Sequence, residues 1–250
     1  MSTTIDRAPE LVRQAGQPMI GSRAPRVKRL LACGAIYGVA YVVANDLIAA
    51  TFYDGYSRMT QAISELSATG APTKTFLSVT APIFSGLMLA FGVGVWKAAR
   101  GRRSLRVAGG LLALHGAWMP LWLLAPMSQR EAIAAGAGTS SDTMHIVLSG
   151  LTGVFVLSEI LFGAAAFEKR FRLYSVLTAA SVVVFAAVLT SVASADLGSG
   201  NPTPWLGLVE RIGVYSWMLW MAVLAVALYR RQDWFNIQRP SRLTRAESSR

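Results

Sequence analysis

Asp46, His115, His145, Glu159, Glu210 and Arg211 are ionisable residues in otherwise apolar stretches of this chain, and Glu65 lies in a short polar segment between two such stretches. Carboxylates and imidazoles hold zinc, so Asp46, His145 and Glu210 are candidate metal ligands, although no H-E-x-x-H or comparable spacing links them. His115 and Glu159 are the types that take up and release a proton, and they suit an intramembrane path. Arg211 could hold a carboxylate or phosphate in its planar fork, or be neutralised by Asp46 or Glu65. It cannot pair well with Glu210, because consecutive residues diverge by about 100° around a helix. Asp46, Glu65, His145, Glu210 and Arg211 together make a candidate outward-facing polar site.

The elements that must position these residues follow from composition. The chain has 250 residues, of which 53% are hydrophobic and only 15% charged. A soluble protein carries about a quarter charged residues, and its helices are apolar on one face rather than all round. Six stretches are long enough to cross a hydrocarbon core. They run from Leu30 to Ala50, Phe76 to Trp96, Leu105 to Leu124, His145 to Phe167, Tyr174 to Ala193, and Trp205 to Tyr229. Each is expected to be helical, since an open strand leaves its amides unsatisfied in lipid. The expected fold is an all-α integral membrane bundle: a basic, disordered tail over 1–29, the six-helix domain over 30–229, and a second basic tail over 230–250, where Trp234 and Phe235 could anchor at the interface.

The charge pattern assigns sides. Of the 24 lysines and arginines, all but Arg58, Lys74, Arg130 and Arg211 lie in the two tails and the second and fourth connections. Cytoplasmic flanks carry that excess, so both termini are expected in the cytoplasm. The formal charge of +11 is thereby explained without nucleic acid, for which no basic groove or base-stacking motif is present. The expected partners are membrane lipids, with a protein partner or a second copy as further possibilities. Cys33 is the single cysteine, which excludes intrachain disulfides and thiolate clusters. No cofactor is named by any of these patterns.

Two segments carry more detail. In the fourth stretch His145, Ser149, Thr152 and Glu159 are spaced 4, 3 and 7 apart, which places them on one helical stripe expected to face other helices. Glu159 is either ionised beside a partner or protonated. Between the first two stretches, Met59, Ile63 and Leu66 recur at helical spacing. Ser57 is a suitable N-cap, and Gly70 with Pro72 forms the stop. A short amphipathic helix is expected there, its polar face carrying Ser64, Glu65 and Ser67. Gly34 and Gly38 form a small-xxx-small step in the first helix. Trp118, Trp122, Trp217 and Trp220 fit packing and interfacial anchoring better than a pocket lining.

The run Gln61-Ala62-Ile63-Ser64-Glu65-Leu66-Ser67-Ala68-Thr69-Gly70-Ala71-Pro72 resembles the signature of the domain of unknown function 998 family. His145, and Gly207 with Arg211, are similar to further features of that family. The resemblance implies a multi-pass cell-membrane protein of mostly bacterial distribution and adds no chemistry. Three functional classes fit these residues. The first is a lipid- or partner-binding accessory protein using the outward polar site; the second is a metal-dependent hydrolase acting on a lipid. The third is a small proton-coupled carrier using His115 and Glu159.

Overall fold

The structure, a computed structural model, describes residues 23–237. The expected tails before residue 23 and after residue 237 lie outside the described residues, as do the side chains of Trp234 and Phe235. All regular structure is helical, and six helices are long and apolar enough to cross a membrane: Pro25–Thr51, Lys74–Ala98, Arg103–Leu124, Ser140–Ala164, Lys169–Gly198 and Leu206–Gln232. They are called the first to sixth spans below. The helices overrun the apolar stretches: the first begins by Arg23 and the last runs to Ile237. Basic residues extend a helix readily where their stems can lie on apolar groups and their heads reach water. Lys28 Nζ sits 4.7 Å from the Tyr229 ring centre, and the Arg231 guanidinium sits 4.3 Å from that of Phe167.

With an even number of spans, residues 23 and 237 lie at the same end of the bundle as the second and fourth connections. This basic end is tied by Arg100 Nη2 to Gln232 Oε1 (3.0 Å) and by Arg102 Nη1 to the Ala166 carbonyl (2.9 Å). The first, third and fifth connections meet at the opposite end and form a cap. The sixth span is the central post, with 44% of its apolar window buried; the fifth, at 11%, is peripheral.

Glycines set the closeness of the joints. Gly92, Gly109 and Gly116 let the second and third spans meet backbone to backbone, and Ser85 Oγ donates to the Gly116 carbonyl at 2.6 Å. Gly34 receives the Phe91 ring and Gly38 packs on Met218, so the two glycines of that step serve different neighbours, the second and sixth spans. Gly163 receives the Trp220 ring near the basic end of the fourth span. Nearer the cap, a Cβ added at Gly150 or Gly153 of the same span would meet nothing within 4 Å.

Three spans depart from α geometry. The first passes into a π-helix at Val43–Ile48 and a 3-10 turn at Ala49–Thr51. The third tightens to 3-10 at Met119–Leu124, where Pro120 removes a backbone donor, and the fifth holds a π segment at Val182–Leu189. Wider π turns re-aim side chains and recur at functional positions. In the first span the widened turn is the one that carries Asp46.

Candidate functional site

The polar residues separate into a cap cluster and a mid-membrane cluster. In the cap, the π turn of the first span presents Asp46 to Arg211 of the sixth. Arg211 Nη2 and Nε lie 2.9 and 3.1 Å from Asp46 Oδ1, and Nε lies 3.2 Å from Oδ2. The remaining guanidinium hydrogens go to the carbonyls of Arg58 (2.9 Å), Gln61 (3.2 Å) and Gly207 (3.0 Å), and Nη2 also donates to Tyr56 Oη at 2.7 Å. Tyr215 donates to Asp46 Oδ2, and the Arg58 side chain donates to the Asp46 carbonyl. All three guanidinium nitrogens are thus engaged inside the protein, which leaves no donor for an anion. Gly207 is required beside them, because a Cβ there would run into the Gln61 and Arg58 carbonyls that Arg211 binds.

The first connection is held by a second ion pair. Glu65 is buried, and Arg130 of the third connection forks onto it through Nε to Oε2 (2.7 Å) and Nη2 to Oε1 (2.9 Å). Gln61 Nε2 and the Ala62 amide add bonds of 3.1 and 2.8 Å to the same carboxylate. Thr60 O accepts from Arg130 Nη2 at 3.0 Å and from Thr203 Oγ1 of the fifth connection at 3.0 Å, so all three connections share one network. Bonding to Glu65 lifts the Arg130 pKa above its ordinary value, and burial raises that of Tyr56.

The expected amphipathic helix is a five-residue 3-10 helix, Ile63–Ser67, capped at Ala62 rather than Ser57, in which Ile63 and Leu66 are buried while Met59 lies outside it and exposed. Glu65 turns inward instead of facing out with Ser64 and Ser67. A carboxylate that finds a fork-shaped partner and two further donors is better placed there than in water. The signature run is legible in these bonds: Gln61 accepts from the Ser57 amide (2.7 Å), the Thr69 amide donates to Met127 O (2.8 Å), and Gln129 Nε2 donates to Thr69 O (3.1 Å). Gly70 supplies the left-handed φ of +88°.

Glu210 accepts the Ile63 amide at 2.6 Å, and His145 Nδ1 bonds the Ala125 carbonyl at 2.8 Å with its ring edge-on to Trp122. Asp142 receives the amides and hydroxyls of Ser128 and Thr139. Asp46, Glu65, His145 and Glu210 are therefore each engaged at a different place. Among the described residues no three His, Cys, Asp or Glu side chains converge as a metal site; Asp46, His145 and Glu210 bond separately to Arg211, the Ala125 carbonyl and the Ile63 amide. They lie at one end of the bundle, but the Asp46 carboxylate is taken by the sixth span, Glu210 by the first connection and His145 by the Ala125 carbonyl.

At mid-membrane the third, fourth and sixth spans converge. Glu159 is wholly buried; its Oε1 is 2.9 Å from His115 Nδ1, and its Oε2 accepts Trp217 Nε1 at 3.1 Å. The His115 ring is stacked between Phe155 (5.6 Å) and Trp217 (5.3 Å). Tyr37 of the first span packs edge-on to Trp217 from behind.

The chain belongs to the DUF998 family. The family model, described as a protein of unknown function (DUF998), matches residues 35–227 and so reaches into all six spans and takes in both clusters. No curated protein and no solved structure matches.

The expected stripe on the fourth span holds only in part. From His145 to Thr152 the accumulated rotation returns to within about 20° of the start, whereas Ser149 lies about 40° to the other side. Ser149 is exposed and returns its hydroxyl to the His145 carbonyl at 2.8 Å, the usual recourse of a serine facing lipid. His145, Thr152 and Glu159 keep the inward course. Sequence reasoning missed Arg130, Tyr56, Tyr215 and Trp217. Arg130 was visible as one of few cations in the cap connections, but nothing in the spacing tied it to Glu65.

Proposed function

We propose that this chain is a proton-responsive protein of the cell membrane, with both termini cytoplasmic and the cap outside, and that a proton-coupled carrier is its simplest working form. The observation that carries this reading is Glu159: a fully buried carboxylate held by an imidazole at 2.9 Å and an indole at 3.1 Å. An ionisable group at membrane depth is costly and rarely kept without use. The third and sixth spans both meet at this carboxylate. Through Oε2 this carboxyl accepts the Trp217 indole N–H and so helps to hold the sixth span against the fourth. Other titratable groups nearby are few. His115 belongs to the third span and Tyr37 to the first, while the second and fifth spans carry ionisable residues only towards their ends.

The test is infrared difference spectroscopy on the reconstituted protein, stepped in pH across a range in which its helicity persists. A reversible carboxyl signal that disappears in Glu159→Gln is expected. A spectrum indistinguishable between wild type and that variant removes the reading.

A second reading, a lipid-binding accessory protein, is favoured by one feature. An open groove of about 530 Å³ lies between the end of the first span and the start of the second, lined by Ile48, Ala49, Phe52, Pro72, Thr73 and Phe76. Its apolar walls at the level of the cap suit a lipid chain. Phospholipid co-purifying with wild type and lost on Phe76→Asp would support it.

A further inference from the structure

We infer that Glu159 communicates with the cap side of the membrane only, through a hydrated seam between the third and fourth spans lined by Trp118 and Thr152. The use of this seam rests on the proton-responsive reading; its existence does not.

Three side-chain polar atoms are buried without a hydrogen-bond partner among the described residues, and two of them are Trp118 Nε1 and Thr152 Oγ1. Trp118 lies one turn from His115 on the third span. Thr152 lies one turn from Phe155 on the fourth, and Phe155 packs on both His115 and Trp118. The two spans are antiparallel, so both orphaned atoms fall on the cap side of the Glu159 pair, at nearly the same level. Farther out along the same joint come His145 and Trp122, below the Ala125 carbonyl. Leaving a buried donor or acceptor unbonded costs about 1–3 kcal/mol, and native proteins meet such groups with water where the site is polar enough. Trp118 packs on Phe155 across a joint that already holds two imidazoles, and Thr152 lies one turn from that phenylalanine.

The other side is built oppositely. Most of the largest fully buried side chains lie between the Glu159 pair and the basic end: Leu112, Ile160, Trp220, Met221, Leu224 and Leu228 are prominent among them. Leu112 is one turn below His115, and Ile160 follows Glu159 directly. Trp220 closes on Gly163 and donates to Ser175 Oγ at 2.9 Å. The third orphaned atom, Tyr174 Oη, lies towards this end but on the fifth span, outside the joint between the third and fourth spans. Along that joint proton access is open towards the cap and closed towards the basic end.

Because Cys33 is the single cysteine, Cys33→Ala gives a background for thiol probes. Thr152→Cys and Trp118→Cys probe the seam from its two walls, Leu112→Cys probes the apolar layer, and Asp54→Cys, exposed on the cap, marks the side. Each is treated with a charged, membrane-impermeant methanethiosulfonate on intact cells and on inverted vesicles. Loss of the free thiol is expected at 152 and 118 from the side that labels 54, with none from the other side and none at 112 from either. The seam is refuted if 152 and 118 both resist labelling from the cap side. It is equally refuted if they react from the opposite side, or if 112 reacts as they do. Labelling at 152 and 118 without a Glu159 carboxyl signal would leave the seam standing and remove the proton-responsive reading. A Glu159 signal with both thiols unreactive would do the reverse.

Discussion

The cap and the mid-membrane cluster use similar residues to opposite ends. In the cap, every nitrogen of Arg211 is occupied, and Glu65 receives a two-pronged arginine, an amide and a glutamine side chain. At mid-membrane a single carboxylate meets one imidazole and one indole, beside two buried polar atoms that nothing among the described residues satisfies. A saturated network can only hold, since any ligand must first break a bond. An unsaturated one retains capacity for a proton, a water or a ligand group. Asp46, Arg211 and Glu65, which first suggest an outward site, are engaged by the protein itself.

This contrast can be broken by measurement. Arg211→Ala strands Asp46 in a buried setting, and loss of one partner from a buried pair costs about 3–5 kcal/mol. A large fall in the unfolding midpoint in detergent is expected; a shift near zero would mean that the cap is not a fastener. Arg130→Ala should cost less, about 1–3 kcal/mol, because the Arg130 side chain is 24% exposed and Glu65 keeps two other donors. It should also loosen the first connection, read as faster amide exchange over 57–69. Glu159→Gln should change stability by only about 1 kcal/mol, since the amide still accepts from Trp217. If it proves as costly as Arg211→Ala, the mid-membrane pair is a fastener too and the contrast collapses.

The smallest effect concerns alkaline pH. Burial raises the Tyr56 pKa, so the folded value lies above the unfolded one, near 10. The resulting stability is fully present below pH of about 10 and is lost as pH rises towards the folded value. Tyr56→Phe should therefore show a shallower decline in melting temperature above that pH than wild type. Equal slopes would show that Tyr56 is not buried against Arg211 as described.

Much of this was legible in the linear chain, and the reason is the solvent. A bilayer demands long, wholly apolar helices, so six spans could be counted from composition and the basic clusters grouped at one end. Individual ionisable groups stood out for the same reason, and His115 and Glu159 were marked by depth alone. The sequence offered Asp46 or Glu65 as the partner of Arg211, and what it could not supply was the choice between them. Asp46 meets Arg211 because a π turn re-aims it, Glu65 turns inward because Arg130 arrives from a connection 65 residues away, and the His145, Asp46 and Glu210 set never gathers. Ser149 shares a spacing with its neighbours yet faces lipid, since a 40° difference decides between joint and surface. The sequence by itself determined the helices, their number and which residues would be expensive to bury. Only the tertiary structure decided which of those residues satisfy one another completely and which do not, because hydrogen bonding is settled by ångström distances between spans that the order of residues does not encode locally.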